Sequence, residues 1–193
     1  MGTEFTRRAR GAATVEFAMA ALIFFVFIFC LLEVARGVYL FNTVQEITRR
    51  AARAAVVTDF SDGAAMERLR RHALFRTTDG TLMLGGPIDQ RYVRIEYLSL
   101  SSDAATGMQL IPAAAMPPCP PRNVLNCAND PNGADCIRFV RVQLCVAATG
   151  SCAPVPYQTM LAQLLPFSID LPLGTTVLRA ESLGYRPGMA MCL

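Results

Sequence analysis

Seven cysteines and one histidine are the residues of this sequence with the clearest chemical potential. Cys30 lies inside a long apolar run, and the other six are Cys119, Cys127, Cys136, Cys145, Cys152 and Cys192. Cysteines bind zinc when they come in closely spaced pairs, and they form disulfides in oxidising compartments. Because no C-x-x-C pair occurs and His72 is distant, the pattern predicts a disulfide framework, with no metal and no cofactor.

The spacing of these cysteines fixes their pairing only in part. Six cysteines allow 15 pairings. Cys136 and Cys145 lie at the two ends of one candidate strand, about 30 Å apart when extended, so they do not bond to each other without a fold-back. Cys145 and Cys152 flank "VAATGS", which is typical of a turn, and they are the favoured pair.

A single carboxylate, Glu16, lies near the start of the apolar run. Residues 12–32 form a stretch of 21 residues in which Glu16 is the only charge. As a helix this stretch is about 30 Å long, the thickness of a bilayer core. Arg7, Arg8 and Arg10 precede it, so the positive-inside rule places the N-terminus in the cytoplasm and the rest of the chain outside. A charge in a membrane span is a functional hypothesis by default.

The place at which such a segment is cut decides what kind of signal it is. A conventional signal peptide needs small residues after its apolar core, where this chain has Glu33 and Arg36. A lipoprotein signal needs small residues before its cysteine, but Cys30 follows "FIF". The residues fit best a cleavage before the apolar run, on its cytoplasmic side, which leaves the span attached to the mature protein. An uncleaved anchor has the same topology and differs only in keeping the leader.

This arrangement resembles the class III, type IV-pilin-like signal, in which a prepilin peptidase cuts after glycine and a glutamate is the fifth residue of the mature chain. Cleavage after Gly11 gives Glu16 that position, followed by Phe17. It also creates an α-ammonium at Ala12. Glu16 can pair with this charge in its own chain, because i and i+4 share a helix face, or in a neighbouring subunit, as pilin families imply. The remaining alternative is a carboxylate at headgroup depth, favoured by the helix macrodipole.

Two helices are predicted from the apolar periodicity. One runs from Ala12 to about Val57, roughly 70 Å, half in lipid and half outside. The apolar stripe of its outer half needs covering by a sheet or a partner, and consists of Val34, Val38, Phe41, Val44, Ile47 and Ala51. A second helix is capped by Ser61 or Asp62 and ends near Leu74. His72 is predicted to be a partly exposed helix residue without a catalytic role.

Residues 59–193 are predicted to form an extracytoplasmic α+β domain. "RYVRIEYLSLS" and "CIRFVRVQLCVAA" each alternate between an apolar and a polar face, and residues 174–185 are a third candidate strand. Glu96 falls on the polar face of the first strand. A Pro/Cys-rich region covers residues 111–152, and its part between the first two strands, residues 111–136, has prolines that predict irregular structure. Its segment "DPNGAD" carries calcium-type oxygen ligands but lacks the bidentate glutamate at position 12, so a plain turn is predicted.

The segments "RRARGAATVEFAM", "CIRFVRVQLCV" and "VLRAESLGYRPGM" together resemble a TadE-like protein, a minor pilin or pseudopilin of the tight-adherence (Tad, Flp) pilus system. The resemblance implies a pilin-like fold, in which the long helix packs on a small antiparallel sheet, and cleavage of the leader, residues 1–11, by an inner-membrane prepilin peptidase. It implies a role in pilus assembly or at the pilus tip. The implied partners are other Tad pilins and minor pilins, the inner-membrane assembly platform and membrane lipid.

The resemblance places the protein in the bacterial inner membrane as a single-pass protein, with its C-terminal domain in the periplasm or, in a pilus, outside the cell. The competing hypothesis is an uncleaved, membrane-anchored module that binds a surface through residues 111–152. An enzyme is not favoured, because the sequence has no G-x-S-x-G, H-E-x-x-H or phosphate loop. Nucleic-acid binding is not favoured either, because the net charge is only +3 and no basic block occurs.

Overall fold

The computed structural model describes residues 5–102, 107–146, 151–160 and 169–192, with side chains from residue 12 onward. The helices are α1 (Phe5–Ala55), α2 (Gly63–Ala73) and α3 (Pro120–Asn129). The strands are β1 (Val93–Leu100), β2 (Met108–Leu110), β3 (Phe139–Leu144), β4 (Pro156–Tyr157), β5 (Ile169–Asp170) and β6 (Thr175–Arg179). The fold is α+β, as expected, with a long N-terminal helix, a small antiparallel sheet and a second short helix.

The first helix changes its surroundings along its 51 residues. Before residue 33 its large apolar side chains are exposed except for the half-buried Ile28, with Phe17 at 75% and Phe24 at 58%. From Leu40 to Ala55 one face is buried against α2, β1, β3 and β6. These 16 residues are about four helical turns, so the sheet covers only the last third of α1.

The predicted stripe of the outer half is therefore divided between core and surface. Its distal members are fully buried: Val44, Ile47 and Ala51. Its proximal members remain exposed: Val34, Val38 and Phe41. The sheet supplies the predicted cover for the first group only, and the second group continues the exposed apolar surface of the span.

The main sheet has four antiparallel strands in the order β2–β1–β3–β6. In the central strand β3, Val142 lies opposite Ile95 on one side and Thr176 on the other. The side chains of β3 alternate between buried and half-buried, as predicted, and its buried face packs on α1. Gly174 lets the start of β6 approach the helix, because a Cβ there would lie 2.7 Å from Val44 Cγ1.

Glu96 lies on the predicted polar face of β1 together with Arg94, but it is only 8% exposed. Arg94 Nε lies 2.8 Å from one carboxylate oxygen, and Arg141 Nη2 lies 2.6 Å from the other. The polar face is therefore an ion-pair cluster at this position, with the carboxylate covered by its two arginine partners. Arg141 stands directly across the sheet from Glu96, and the register that brings them together is not visible in the period of either strand.

The irregular structure predicted for residues 111–136 is wrong over ten residues, which form α3. Pro120 and Pro121 occupy its first turn, where a missing N–H costs no intrahelical hydrogen bond. The side-chain oxygen of Asn123 then accepts a hydrogen bond of 2.8 Å from the backbone N–H of Ile137. This bond ties the helix to the chain that leads into β3.

Three disulfides are present: Cys119–Cys192, Cys127–Cys136 and Cys145–Cys152. Cys145–Cys152 is the pair that the spacing favoured, whereas the sequence left the other two pairings undecided. Part of the turn predicted between Cys145 and Cys152, residues 147–150, lies outside the described residues. Cys30 is unpaired and exposed. The segment 130–135 forms a turn in which the carboxylate of Asp130 accepts a hydrogen bond of 2.9 Å from the N–H of Asn132.

The second helix has the predicted ends. Asp62 caps its first turn by accepting a hydrogen bond of 3.0 Å from the N–H of Ala65, and Leu74 ends it. Met66 and Leu69 are buried, and α2 packs on α1. The strands that sequence periodicity did not predict are β2, β4 and β5. Each has two or three residues, too few to show a period of two.

Candidate functional site: the N-terminal helix and its polar collar

The N-terminal half of α1 carries the residues predicted to matter for processing and assembly. The bond between Gly11 and Ala12 lies inside the helix, which begins at Phe5. Ala12, Glu16 and Phe17 are all exposed. Positions 12 and 16 are one turn apart and therefore share a helix face. The side chains of the basic leader lie outside the described residues.

Among the described residues, α1 is the helix that is long and apolar enough to cross a membrane. Its most apolar window of 18 residues has a mean hydropathy of 2.7, and no part of that window is buried. An exposed apolar surface of this extent needs lipid or other helices to cover it. The helix therefore indicates a single-pass membrane anchor, with Glu16 near its N-terminal end.

A polar collar, formed by Glu33, Arg36 and Tyr157, joins the domain to α1 where the apolar run ends. The hydroxyl of Tyr157 donates a hydrogen bond of 2.6 Å to Glu33 Oε1. The backbone N–H of Met160 donates a second bond, of 3.1 Å, to Glu33 Oε2. Both carboxylate oxygens of Glu33 are thus held by the segment that contains β4.

Arg36 completes the collar from the next turn of the helix. Its Nε donates to the backbone carbonyl of Leu84 at 3.0 Å, and its Nη1 donates to the carbonyl of Gln158 at 2.6 Å. Its guanidinium lies 5.1 Å from the centre of the Tyr157 ring, within the range of a cation–π interaction. The same guanidinium lies 3.5 Å from Glu33, so the two charges offset each other.

The phenol of Tyr157 keeps its proton at neutral pH. Burial raises the pKa of Tyr157, and the hydrogen bond to Glu33 and the negative charge of Glu33 raise it further, against a smaller opposing effect of Arg36. The phenol therefore remains a donor at neutral pH. This arrangement is suited to holding two loops against the helix.

Sequence reasoning did not assign the collar. Glu33 and Arg36 are visible in the sequence as an i, i+3 pair directly after the apolar run, a spacing at which opposite charges meet on a helix. Tyr157 carries no comparable signal, because it lies 124 residues further along the chain in a strand of two residues.

A cleft of about 310 Å³ beside β1 is lined by three arginines, and each of them is paired with a carboxylate. The pairs are Arg70 with Glu67, Arg91 with Asp89, and Arg94 with Glu96. Burial alone would raise the pKa of Asp89, but hydrogen bonds and the charge of Arg91 lower it overall. Within the described residues no group of three or more potential metal ligands comes together, and His72 is exposed on α2.

The first half of α1 is apolar and exposed, and its second half belongs to the core of a small α+β domain, which is the arrangement that the pilin-like resemblance predicted. Residues 11–53 match the family model described as TadE-like protein. The match begins at the glycine of the predicted cleavage site and ends close to the end of α1. The chain therefore carries a TadE-like domain, consistent with a TadE-like protein of Tad pilus systems, as the resemblance predicted. No curated protein and no solved structure matches the chain.

Proposed function

We propose that this chain is a minor pilin, or pseudopilin, of a Tad-type pilus. A prepilin peptidase cleaves it after Gly11, and the exposed half of α1 then packs against the helices of other Tad pilins and minor pilins. Before assembly the protein spans the bacterial inner membrane and meets the assembly platform there, with its N-terminus in the cytoplasm and its domain in the periplasm. Its role is structural, without catalysis.

The observation that carries this proposal is the continuity of α1 from an uncovered apolar half to a buried half. A subunit built in this way is held by lipid before assembly and by neighbouring helices after it. The TadE-like match covers the same helix. Disulfides are typical of chains that leave the cytoplasm, and all three lie in the domain beyond α1.

The first test is the N-terminal sequence and intact mass of the protein from membranes, with and without the prepilin peptidase. We expect a start at Ala12 that depends on the peptidase. A Gly11→Ala variant should remain uncut, and a Gly37→Ala variant, changed at a glycine in the middle of the same helix, should be cut normally. A start at Met1 under both conditions would remove the pilin proposal and leave an uncleaved anchor that presents an adhesive domain.

A second test concerns Glu16. If its carboxylate pairs with the α-ammonium of Ala12, a Glu16→Ala variant leaves that charge unpaired beside apolar surface, which is costly. We expect normal insertion and cleavage but impaired assembly into pili. Glu46→Ala is the matched control, because Glu46 is an exposed carboxylate on the outer half of the same helix. Normal piliation in the Glu16→Ala strain would contradict the role assigned to this residue.

A further inference from the structure

We propose that two loops held by the collar insert into the bilayer surface, which gives the domain a second contact with lipid besides α1. The membrane rim is defined here as Met83 and Leu84 in one loop and Met160 in the other. This inference rests on the membrane anchoring of α1 proposed above, and it adds the lipid headgroup region as a ligand of the domain itself.

The hydrogen bonds of the collar fix the depth of both loops. The carbonyl of Leu84 is bonded to Arg36 at 3.0 Å, and the N–H of Met160 is bonded to Glu33 at 3.1 Å. Arg36 is four residues beyond Leu32, where the apolar run ends, which is about 6 Å along the helix axis. The headgroup layer adds about 5–7 Å on each side of the hydrocarbon core. The backbones of Leu84 and Met160 therefore lie level with this layer.

The side chains at this depth are apolar and exposed. Met83 and Met160 are each 72% exposed, and Leu84 is 56% exposed. Loops that face water are usually built from small and polar residues, whereas apolar side chains are favoured at the boundary between headgroups and acyl chains. Methionine suits that boundary because its unbranched side chain adapts to irregular surroundings.

The backbone of Leu84 adds an independent observation. Its φ is +59°, in the left-handed region that leucine rarely adopts. Arg36 holds its carbonyl, while more than half of its side chain stays uncovered. The strained backbone of Leu84 presents an apolar side chain to the surroundings of the protein. Lipid surroundings would account for this conformation, because they favour an exposed leucine.

Lipid is the favoured occupant of the membrane rim, because the rim continues the exposed apolar surface of the span. Leu31 and Leu32, the last residues of the apolar run, are 51% and 57% exposed. The rim is held one helical turn beyond them, so a bilayer that covers the run reaches the rim without any further movement. A neighbouring protein at the rim is the competing occupant, and the experiment below distinguishes the two.

The sequence contains no tryptophan, so a single introduced tryptophan reports on its own surroundings. We would reconstitute the full-length chain into phosphatidylcholine vesicles and measure quenching by lipids that are brominated near the headgroup end of the acyl chain. The test variants are Met160→Trp and Met83→Trp, one in each loop. Phe24→Trp reports on the span. Val57→Trp is the control, because Val57 is 47% exposed and lies about 33 Å or more from Glu33 along the helix.

We expect both rim variants to show blue-shifted emission and at least half the quenching of Phe24→Trp, and Val57→Trp to show none. Rim variants that behave like Val57→Trp, while Phe24→Trp is quenched, would overturn the inference and leave the anchor intact. Absence of quenching in Phe24→Trp would contradict both the membrane anchoring of α1 and the insertion of the rim. Circular dichroism and intact mass under non-reducing conditions verify that each variant folds and keeps its three disulfides.

Discussion

The phenol of Tyr157 donates a hydrogen bond of 2.6 Å to the carboxylate of Glu33, although 124 residues separate the two in sequence. This bond fastens the segment around β4 to α1 at the boundary between the exposed and the buried part of the helix. Without it the domain would keep its core, and the segment around β4 would be held to α1 by the bonds of Arg36 and Met160 alone.

The first prediction concerns this bond. A Tyr157→Phe change removes a hydrogen bond to a charged acceptor, and we expect a loss of about 1.5 kcal/mol in the free energy of unfolding. The amide of Met160 should exchange its hydrogen faster, because the segment that presents it is released. Hydrogen exchange and urea unfolding in detergent measure the two effects. Tyr39→Phe, on the exposed side of α1, should change neither, and unchanged exchange in Tyr157→Phe would show that the collar does not hold this loop.

The second prediction is the alkaline behaviour of the same pair. The pKa of Tyr157 is raised in the folded chain above its ordinary value of about 10 in the unfolded chain. Its stabilising contribution is therefore complete below about pH 10 and is lost as the pH rises through the folded pKa. The stability difference between the parent chain and Tyr157→Phe should shrink above that pH. Both should carry Cys30→Ser to prevent thiol exchange, and a difference that stays constant into strong alkali would contradict the assignment.

The third prediction compares two glycines near the C-terminal end. Gly184 and Gly188 both have positive φ, +84° and +88°. A Cβ at Gly184 would lie 2.5 Å from the backbone nitrogen of Asp59, whereas a Cβ at Gly188 meets nothing within 4 Å. Gly188→Ala should cost about 1 kcal/mol for the left-handed conformation alone, and Gly184→Ala about 3 kcal/mol or more because overpacking adds to it. Thermal unfolding followed by circular dichroism measures both losses of stability. Equal losses would show that the backbone around Asp59 shifts to make room for the added Cβ.

The fourth prediction ranks the disulfides. In the chain-entropy model a crosslink stabilises more when it closes a longer loop. The Cys119–Cys192 bond spans 73 residues and the Cys145–Cys152 bond spans 7. Replacing each pair by serines should therefore cost about 4 kcal/mol for the first and about 2 kcal/mol for the second. Urea unfolding of the two double variants tests the order, and a reversed order would mean that native-state contacts outweigh loop entropy.

Much of the fold could be predicted because its main elements repeat a period over many residues. The long helix, the ends of α2 and the alternation of β3 all follow from such periods. The division of the apolar stripe between Val44 and Phe41 could not be predicted, because it depends on how far a sheet formed by distant residues extends along the helix. The same holds for α3, whose prolines are compatible with a helix only in its first turn.

The two parts of the candidate site, the start of α1 and the collar, also differ in how far the sequence predicts them. Gly11, Ala12 and Glu16 form a local pattern that sequence alone reveals, and their roles in cleavage and assembly stay predictions. The collar depends on a long-range contact, in which Tyr157 reaches Glu33 from a strand of two residues. Such a contact has no signature in composition or spacing, and only the first partner, a carboxylate at the end of an apolar run, is visible beforehand.

The unbroken course of α1 also has a mechanical consequence. One end of the helix is uncovered and the other is the centre of the core, so a pull along its axis reaches the domain as shear across the contact with β3 and β6. The hydrogen bonds of Glu33 and Arg36 stand where the helix enters the domain and take up part of that load in parallel. A pull on the exposed end of the helix would therefore load the folded domain through its core and through the collar.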